Sequence, residues 1–364
     1  MNRAQQIKKI TQELVRFKTT HEQQRQFLPC LKIIKKWLEK NNIKAEIETH
    51  NSFPFLISGP KKTNVLLLGH IDVVPAPAEL FETRTRDGKM FGRGVFDMKG
   101  VIAALLNTFI KLKKENVASL TLAITSDEEI GGYNGTRFLI QTKRVIPSII
   151  ILPDGGDNFN IVTDQKGPIN LITVTKGKGC HSALPWAGIN PVNLATGFIK
   201  KINKEFPNRH FSKTTATPTI VCSGDVINKK VRNQIPDSLE INWNIRIAHP
   251  DTIKDISTIF NKVGSIFNTK VTEIIGDGLP FHINKESKKV KLWKKIVENQ
   301  IKRRVRFVSS PTASDARWIS QKGIPCIVTH VDGGCPHENG EWVDIKSLST
   351  LSNCIQKFIS ETYE

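Results

Sequence analysis

The chain has 364 residues, 39% hydrophobic and 24% charged, a composition long enough for two domains that excludes a disordered chain. No apolar run reaches the ~18 residues that a membrane-spanning helix needs, so no membrane partner is expected. Fifty-three Lys and Arg against 34 Asp and Glu leave a net charge of +19, but no nucleic-acid motif accompanies the surplus, and such a partner is not expected.

In chain order, Ile7, Ile10, Leu14 and Phe17 recur at helical spacing, which predicts a helix rather than a secretory leader. A second helical stretch covers 28–41. Residues 65–68 (VLLL) read as a short buried strand running into GHIDVV. After a turn at Asp87-Gly88, a helix is expected from 99 to about 114. Strands at 120–125 and 147–152 run into SDEE and PDGG. Strands alternating with helices and ending in polar residues argue for an α/β layered sheet, whose ligands gather at the carboxyl ends of the strands.

The texture changes after Gly167. Strand signals at 170–178, 218–227 and 239–248, with helical stretches at 190–204 and 252–267, read as a small α+β domain. Residues 285–306 hold ten Lys or Arg against Glu286 and Glu298, a local +8. Val290, Trp293, Ile296, Val297 and Ile301 give that stretch one apolar helical face. Its basic side is either a solvated face or an anion-attracting surface. The run IPCIVTHV then resumes the first pattern. The expected organisation is a larger domain, 1–169 and 279–364, interrupted by an inserted domain, 170–278. The six cysteines are scattered with no Cys-x-x-Cys pair, which suits reduced thiols in a cytoplasmic protein.

The chemistry-bearing residues cluster at the strand ends. His70 and Asp72 follow a buried strand on alternate positions, the pairing of a metal-ligating imidazole with its orienting carboxylate. Asp97, in GRGVFDMKG, either caps the next helix or bridges two cations. Asp127, Glu128 and Glu129 are adjacent carboxylates that repel unless a cation or a base role accounts for them. Asp154 and Asp157 mark a third strand end, and His337 lies in the loop PHENGEW. Histidines with carboxylates and no required cysteine suit hydrolytic metal sites with open positions. Two cations bridged by a carboxylate can clamp a water and a carbonyl oxygen, and a further carboxylate can take the proton.

GHIDVV, GRGVFDMKG, TSDEE, GKGCHSALPWAGINP and the late His motif, in that order from His70 to Val343, resemble the dinuclear-zinc aminoacylase and carboxypeptidase family, a family of metallopeptidases that includes desuccinylases and deacetylases. The resemblance implies a zinc-peptidase-like catalytic domain with a mixed sheet flanked by helices. It also implies an inserted ferredoxin-like lid through which the chain forms a homodimer. It implies two zinc ions, replaceable by cobalt or manganese. His70, Asp97, Glu129, Asp154 and His337 then match the metal ligands, with Asp97 bridging and Asp154 preferred to Asp157. Glu128 matches the general base, Asp72 the partner of His70, and His181 the donor that stabilises the oxyanion. Asn233 and Arg246 match residues that hold the polar groups of the substrate, as Thr312, Ser314 and Asp315 can. Glu341 falls at the family's spacing after His337.

Two departures stand out. Pro153-Asp154 replaces a Glu-before-Pro order, and residues 309–317 lack the glycines of desuccinylase-like members. The implied activity is amide hydrolysis of small, carboxylate-bearing N-acyl amino acids, by a zinc-activated water with Glu128 as base. A carboxypeptidase or dipeptidase of the same family is the alternative, and a non-catalytic or nucleic-acid-binding protein a distant one.

Overall fold

The structure, a computed structural model, describes residues 2–117, 119–142, 144–207, 212–223 and 233–363. The chain divides into two compact units, one of residues 1–163, 283–308 and 314–364, the other of 164–282 and 309–313. The fold is α/β with a mixed central sheet in the first unit.

In that sheet the strands run in the order Glu46–His50, Phe53–Ser58, Leu120–Thr125, Lys62–His70, Ile146–Leu152, Cys326–Thr329 and Ile161–Gln165. The four from Leu120–Thr125 to Cys326–Thr329 are mutually parallel, and antiparallel strands flank them. Their interiors are almost wholly buried, as continuous apolar runs such as VLLL and IIIL require when both faces are covered. All four parallel strands end on the same side. Their last residues or next loops deliver His70, Asp127 to Glu129, Asp154 and His330 to one edge.

Helix Arg3–Val15 buries Ile7, Ile10 and Leu14 and starts at a capping box between Asn2 and Gln5. Phe17, included in the expected stripe, lies beyond its end, where its carbonyl oxygen accepts Lys99 Nζ at 2.7 Å. Helix Lys99–Lys114 is buried on most faces, with Lys111, Lys113 and Lys114 in its last turn, where cations offset the helix dipole. Helix Lys288–Ile301 buries Val290, Trp293, Ile296 and Val297. Trp293 meets Phe358 of helix Ile345–Tyr363 edge-to-face at 5.6 Å. The basic residues of this segment thus flank a helix whose apolar face is packed.

The second unit has strands Gly167–Lys176, Thr215–Ser223, Ser238–Ile247 and Thr269–Ile275, with helices Pro191–Glu205 and Ile253–Gly264. Its sheet runs fourth, first, third, second in chain order, all pairs antiparallel, the split βαβ arrangement of ferredoxin-like folds. Alternate residues of Ser238–Ile247 are buried, so one sheet face packs on the helices. Trp243 lies there edge-to-face with Phe260 and Phe198, at 5.2 and 5.8 Å. The second helix stops at Gly264 rather than continuing to 267. The returning chain passes so close that a Cβ on Gly264 would sit 2.3 Å from the Thr269 carbonyl oxygen. The end of the expected strand 218–227, from Gly224 onward, lies outside the described residues.

Candidate metal centre

His70 ends its strand with a side chain only 1% exposed. Its Nδ1 donates to the Asp72 carbonyl oxygen at 3.0 Å and lies 3.3 Å from Asp72 Oδ1. With the proton held there, the Nε2 lone pair is free for a cation. Nε2 lies 3.2 Å from Asp97 Oδ1. Asp72 is wholly buried, and its Oδ2 accepts the backbone N–H of Glu129 at 2.9 Å. One carboxylate thereby ties the end of one parallel strand to the loop after the next. His70, His21 and the Glu129 N–H hold the Asp72 carboxyl well below the usual range despite its burial.

Asp97 does not cap the following helix; Met98 stands at that position, without a side-chain cap bond. The loop is held by Glu341 instead. Glu341 Oε2 accepts Arg93 Nη1 at 2.7 Å and the Gly94 N–H at 2.9 Å. Its Oε1 accepts the N–H groups of Phe96 and Asp97 at 2.9 and 3.0 Å. Both side chains of the Arg93–Glu341 pair are buried, and a buried pair needs this degree of hydrogen bonding to be tolerated. Glu341 lies four residues after His337, so one carboxylate fixes the Asp97 loop against the His337 loop.

Glu128 and Glu129 follow the buried strand Leu120–Thr125 in a single turn of helix. Thr136 Oγ1 donates to Asp315 Oδ2, while Arg317 Nη2 and Trp318 Nε1 donate to the Gly131 carbonyl oxygen at 2.7 and 2.9 Å. Gly132 has φ +65°, and a Cβ there would fall 1.9 Å from Asp315 Oδ1, so this turn requires glycine.

Two groups of donors result. His70, Asp97 and Asp154 each offer one ligand atom within 4.8 Å of the others, and so do Asp97, Glu129 and His337. Asp97 belongs to both. His337 Nε2 lies 3.3 Å from Asp97 Oδ2 and 3.2 Å from Glu129 Oε2. Asp154 is in the first group; the exposed Asp157 is in neither and accepts Asn160 Nδ2. His70 Nε2, Asp97 Oδ1, Glu129 Oε1 and Asp154 Oδ2 are buried without a hydrogen bond. Four orphaned donor atoms converging on one place suit divalent cations, because each would otherwise remain desolvated at a cost.

The electrostatics agree with that reading. Burial, then the charge of Asp154, raises the Glu128 carboxyl well above its ordinary range. Burial, against the opposing pull of His70, pushes Asp154 up to about 8. Contacts with Asp97 and Glu129 raise His337 to about 10. Crowded carboxyls that retain protons mark a place built for positive charge.

The other expected site residues fall in both units. Ser314 is in the first, where its Oγ accepts the Ala316 N–H at 3.3 Å. His181, Asn233, Arg246 and Thr312 are in the second. His181 and Asn233 come together there, with Asn233 Nδ2 3.4 Å from His181 Nε2, and both are exposed. Arg246 lies on Ser238–Ile247, its Nε donating to Asn244 Oδ1 at 3.3 Å. Thr312 Oγ1 pairs with Ser310 Oγ at 2.7 Å.

Residues 66–361 match the model of Peptidase family M20/M25/M40. The chain belongs to this family. It is a hydrolase of amide or peptide bonds. Similar curated proteins include the succinyl-diaminopimelate desuccinylase of Rickettsia bellii, 26% identical over 334 residues that cover 85% of this chain and 84% of that protein. The desuccinylase of Aliarcobacter butzleri is 28% identical over 340 residues, 88% of this chain and 90% of its own. Among solved structures, an aminopeptidase from Bacillus cereus superposes with a TM-score of 0.78 at 18% identity, covering 99% of both chains. A dinuclear metal-binding M20 peptidase from Bacillus subtilis superposes with a TM-score of 0.73 at 15% identity, covering 98% of this chain and 97% of that one. The M20 membership and the donor groups together make this a metal-dependent amide hydrolase.

Sequence reasoning did not reach Arg93 and His21. Both lie far along the chain from what they touch, Arg93 by 248 residues and His21 by 51, and neither carries a local signal. Glu341 had only its spacing after His337 as a signal. Among the described residues, no helix is long and apolar enough to cross a membrane.

Proposed function

We propose that this M20 enzyme removes the acyl group from small N-acyl amino acids with a free carboxylate, at a centre of two zinc ions that cobalt or manganese can replace. The observation that carries the reading is the pair of donor groups sharing Asp97. His70, Asp97 and Asp154 would hold one cation, and Asp97, Glu129 and His337 the other. When bound, such a pair supplies Lewis-acid polarisation of the amide carbonyl and makes a water more acidic.

The chain's own residues do the rest. Glu128 takes a proton from the attacking water as its oxygen bonds to the carbonyl carbon. It then delivers that proton to the nitrogen as the carbon–nitrogen bond breaks, leaving a carboxylic acid and an amine. A carboxyl with a raised pKa suits both halves of this transfer. Asp72 keeps the His70 proton on Nδ1. His181 donates to the oxyanion, and Asn233, Thr312 and Ser314 bind the polar groups of the substrate. Arg246 grips the substrate carboxylate, for which a guanidinium offers two parallel hydrogen bonds.

The desuccinylase relatives support a deacylase. A peptidase is the second reading, favoured by the solved structures described as an aminopeptidase, a tripeptidase and a metallo-carboxypeptidase and by the missing glycines at 309–317. A panel of N-succinyl and N-acetyl amino acids beside di- and tripeptides decides between them. Turnover confined to peptides overturns the deacylase, and no turnover by protein carrying two cations overturns both. A homodimer through the second unit is supported by the exposed Leu184, Ile189 and Trp186, the last 78% exposed. A monomer in sedimentation equilibrium would sink that part.

A further inference from the structure

We propose that His21 is a positioning residue for both cation sites, acting through Asp72. The inference rests on the two-cation reading of the centre. His21 opens the short turn His21–Gln26. Its ring meets Phe27 edge-to-face at 5.6 Å and leans on Phe53 at 6.0 Å, so it cannot swing freely. Nε2 points at Asp72 and lies 3.1 Å from Oδ2.

Asp72 is 0% exposed, so its oxygens depend on protein donors alone. Oδ2 receives two, His21 Nε2 and the Glu129 N–H. Oδ1 lies 3.3 Å from His70 Nδ1, a charge contact, while the hydrogen bond of that nitrogen goes to the Asp72 carbonyl oxygen. The carboxylate thus has three grips, two hydrogen bonds on Oδ2 and the charge contact of His70 on Oδ1. Two of the grips belong to cation donors, and to different cations: His70 to the first group, Glu129 to the second. His21 is the third grip and has no other polar task, because its Nδ1 is buried without a partner. Without it, Oδ2 keeps a single donor, and the carboxylate can rotate. The His70 ring and the Glu129 backbone then lose one shared reference. Loss of His21 therefore weakens both cation positions together, unlike loss of Asp154 or His337, each of which belongs to one group.

A ring that only filled space would act differently, and two substitutions separate the cases. His21→Phe keeps the ring and removes the donor; His21→Gln removes the ring and keeps an N–H. Cobalt(II) binding to the stripped protein is followed by calorimetry and by the visible absorption of bound cobalt, which reports ligand geometry. The wild type is expected to take two cations. His21→Phe is expected to bind both roughly 10–100-fold more weakly, the usual effect of removing a group that orients a ligand, with a changed spectrum. His21→Gln is expected to regain most of the affinity and the wild-type spectrum. Circular dichroism of the stripped proteins checks folding, and His21→Leu replaces the Phe variant if that fails to fold.

Wild-type affinity and spectrum in the donor-free variant, or a Gln variant as weak as the Phe variant, overturns the proposal while the two-cation centre stands. A wild type that binds fewer than two cations overturns the two-cation reading, and the proposal with it.

Discussion

Glu341 Oε1 accepts the backbone N–H of Asp97 at 3.0 Å, across 244 residues of chain. The same carboxylate also takes Arg93, Gly94 and Phe96, so four donors meet two oxygens. Glu341→Gln turns an NH2 toward donors and cannot satisfy them. Because Asp97 serves both donor groups, metal affinity is expected to fall roughly 10–100-fold at both positions. The metal-free variant is expected to lose on the order of 3 kcal/mol through the unpaired Arg93. Calorimetric titration and chemical denaturation read the two effects separately, and intact cation binding would refute the clamp.

Glu128 belongs to neither donor group. Glu128→Gln is therefore expected to keep two cations while kcat falls by at least about 10²-fold, the lower range for loss of a general base. Metal analysis beside steady-state rates tests this. A variant that loses its metal would make Glu128 a ligand instead.

Asp154 and Asp157 give a paired comparison. Asp154→Asn is expected to weaken one cation of the two, since Asp154 belongs only to the group with His70. Asp157→Asn, at an exposed position, is expected to bind both as the wild type does. Reversed results in a zinc-binding titration would exchange the two roles.

Stability of the metal-stripped chain should fall as pH rises from 6.5 to 8. Asp127 is raised to about 7 by burial and then by Asp315, Asp154 to about 8, and His337 to about 10. A raised folded-state pKa means that the native chain binds more protons than the unfolded one. That stabilisation is complete below the unfolded pKa and is lost as pH rises through the folded value. Burial lowers His330 to about 4, which acts the other way only below about 6.5. Saturating zinc should flatten or reverse the slope, because cations bind the deprotonated ligands more tightly as pH rises. Melting temperatures with chelator and with zinc check this, and a rising slope in chelator would contradict it.

Much of this protein is legible in local sequence. The buried runs VLLL, LTLAIT and IIIL mark central strands because a strand covered on both faces must be apolar throughout. The alternation in Ser238–Ile247 marks a sheet with one covered face. The residues at strand ends announce themselves by position: His70 ends one buried strand, Glu128 and Glu129 lie in the turn after another, and Asp97 sits in a glycine-bearing turn. Spacing of a few residues controls these features, so a linear reading recovers them.

The sequence alone determined the layered α/β class, the inserted α+β segment and the identity of most of the residues that converge. Only the tertiary structure decided which carboxylates come within reach of one another. It placed Asp154, and not Asp157, near His70 and Asp97, and made Asp97 a member of two donor groups instead of a helix cap. It also supplied the supports, Glu341 on the Asp97 loop and His21 on Asp72. The physical reason is range. Helical and strand periodicities are set by neighbours a few residues away, whereas ligand geometry is set by hydrogen bonds that span 51 to 248 residues. Their donors and acceptors have no shared local pattern until the sheet brings the strand ends together.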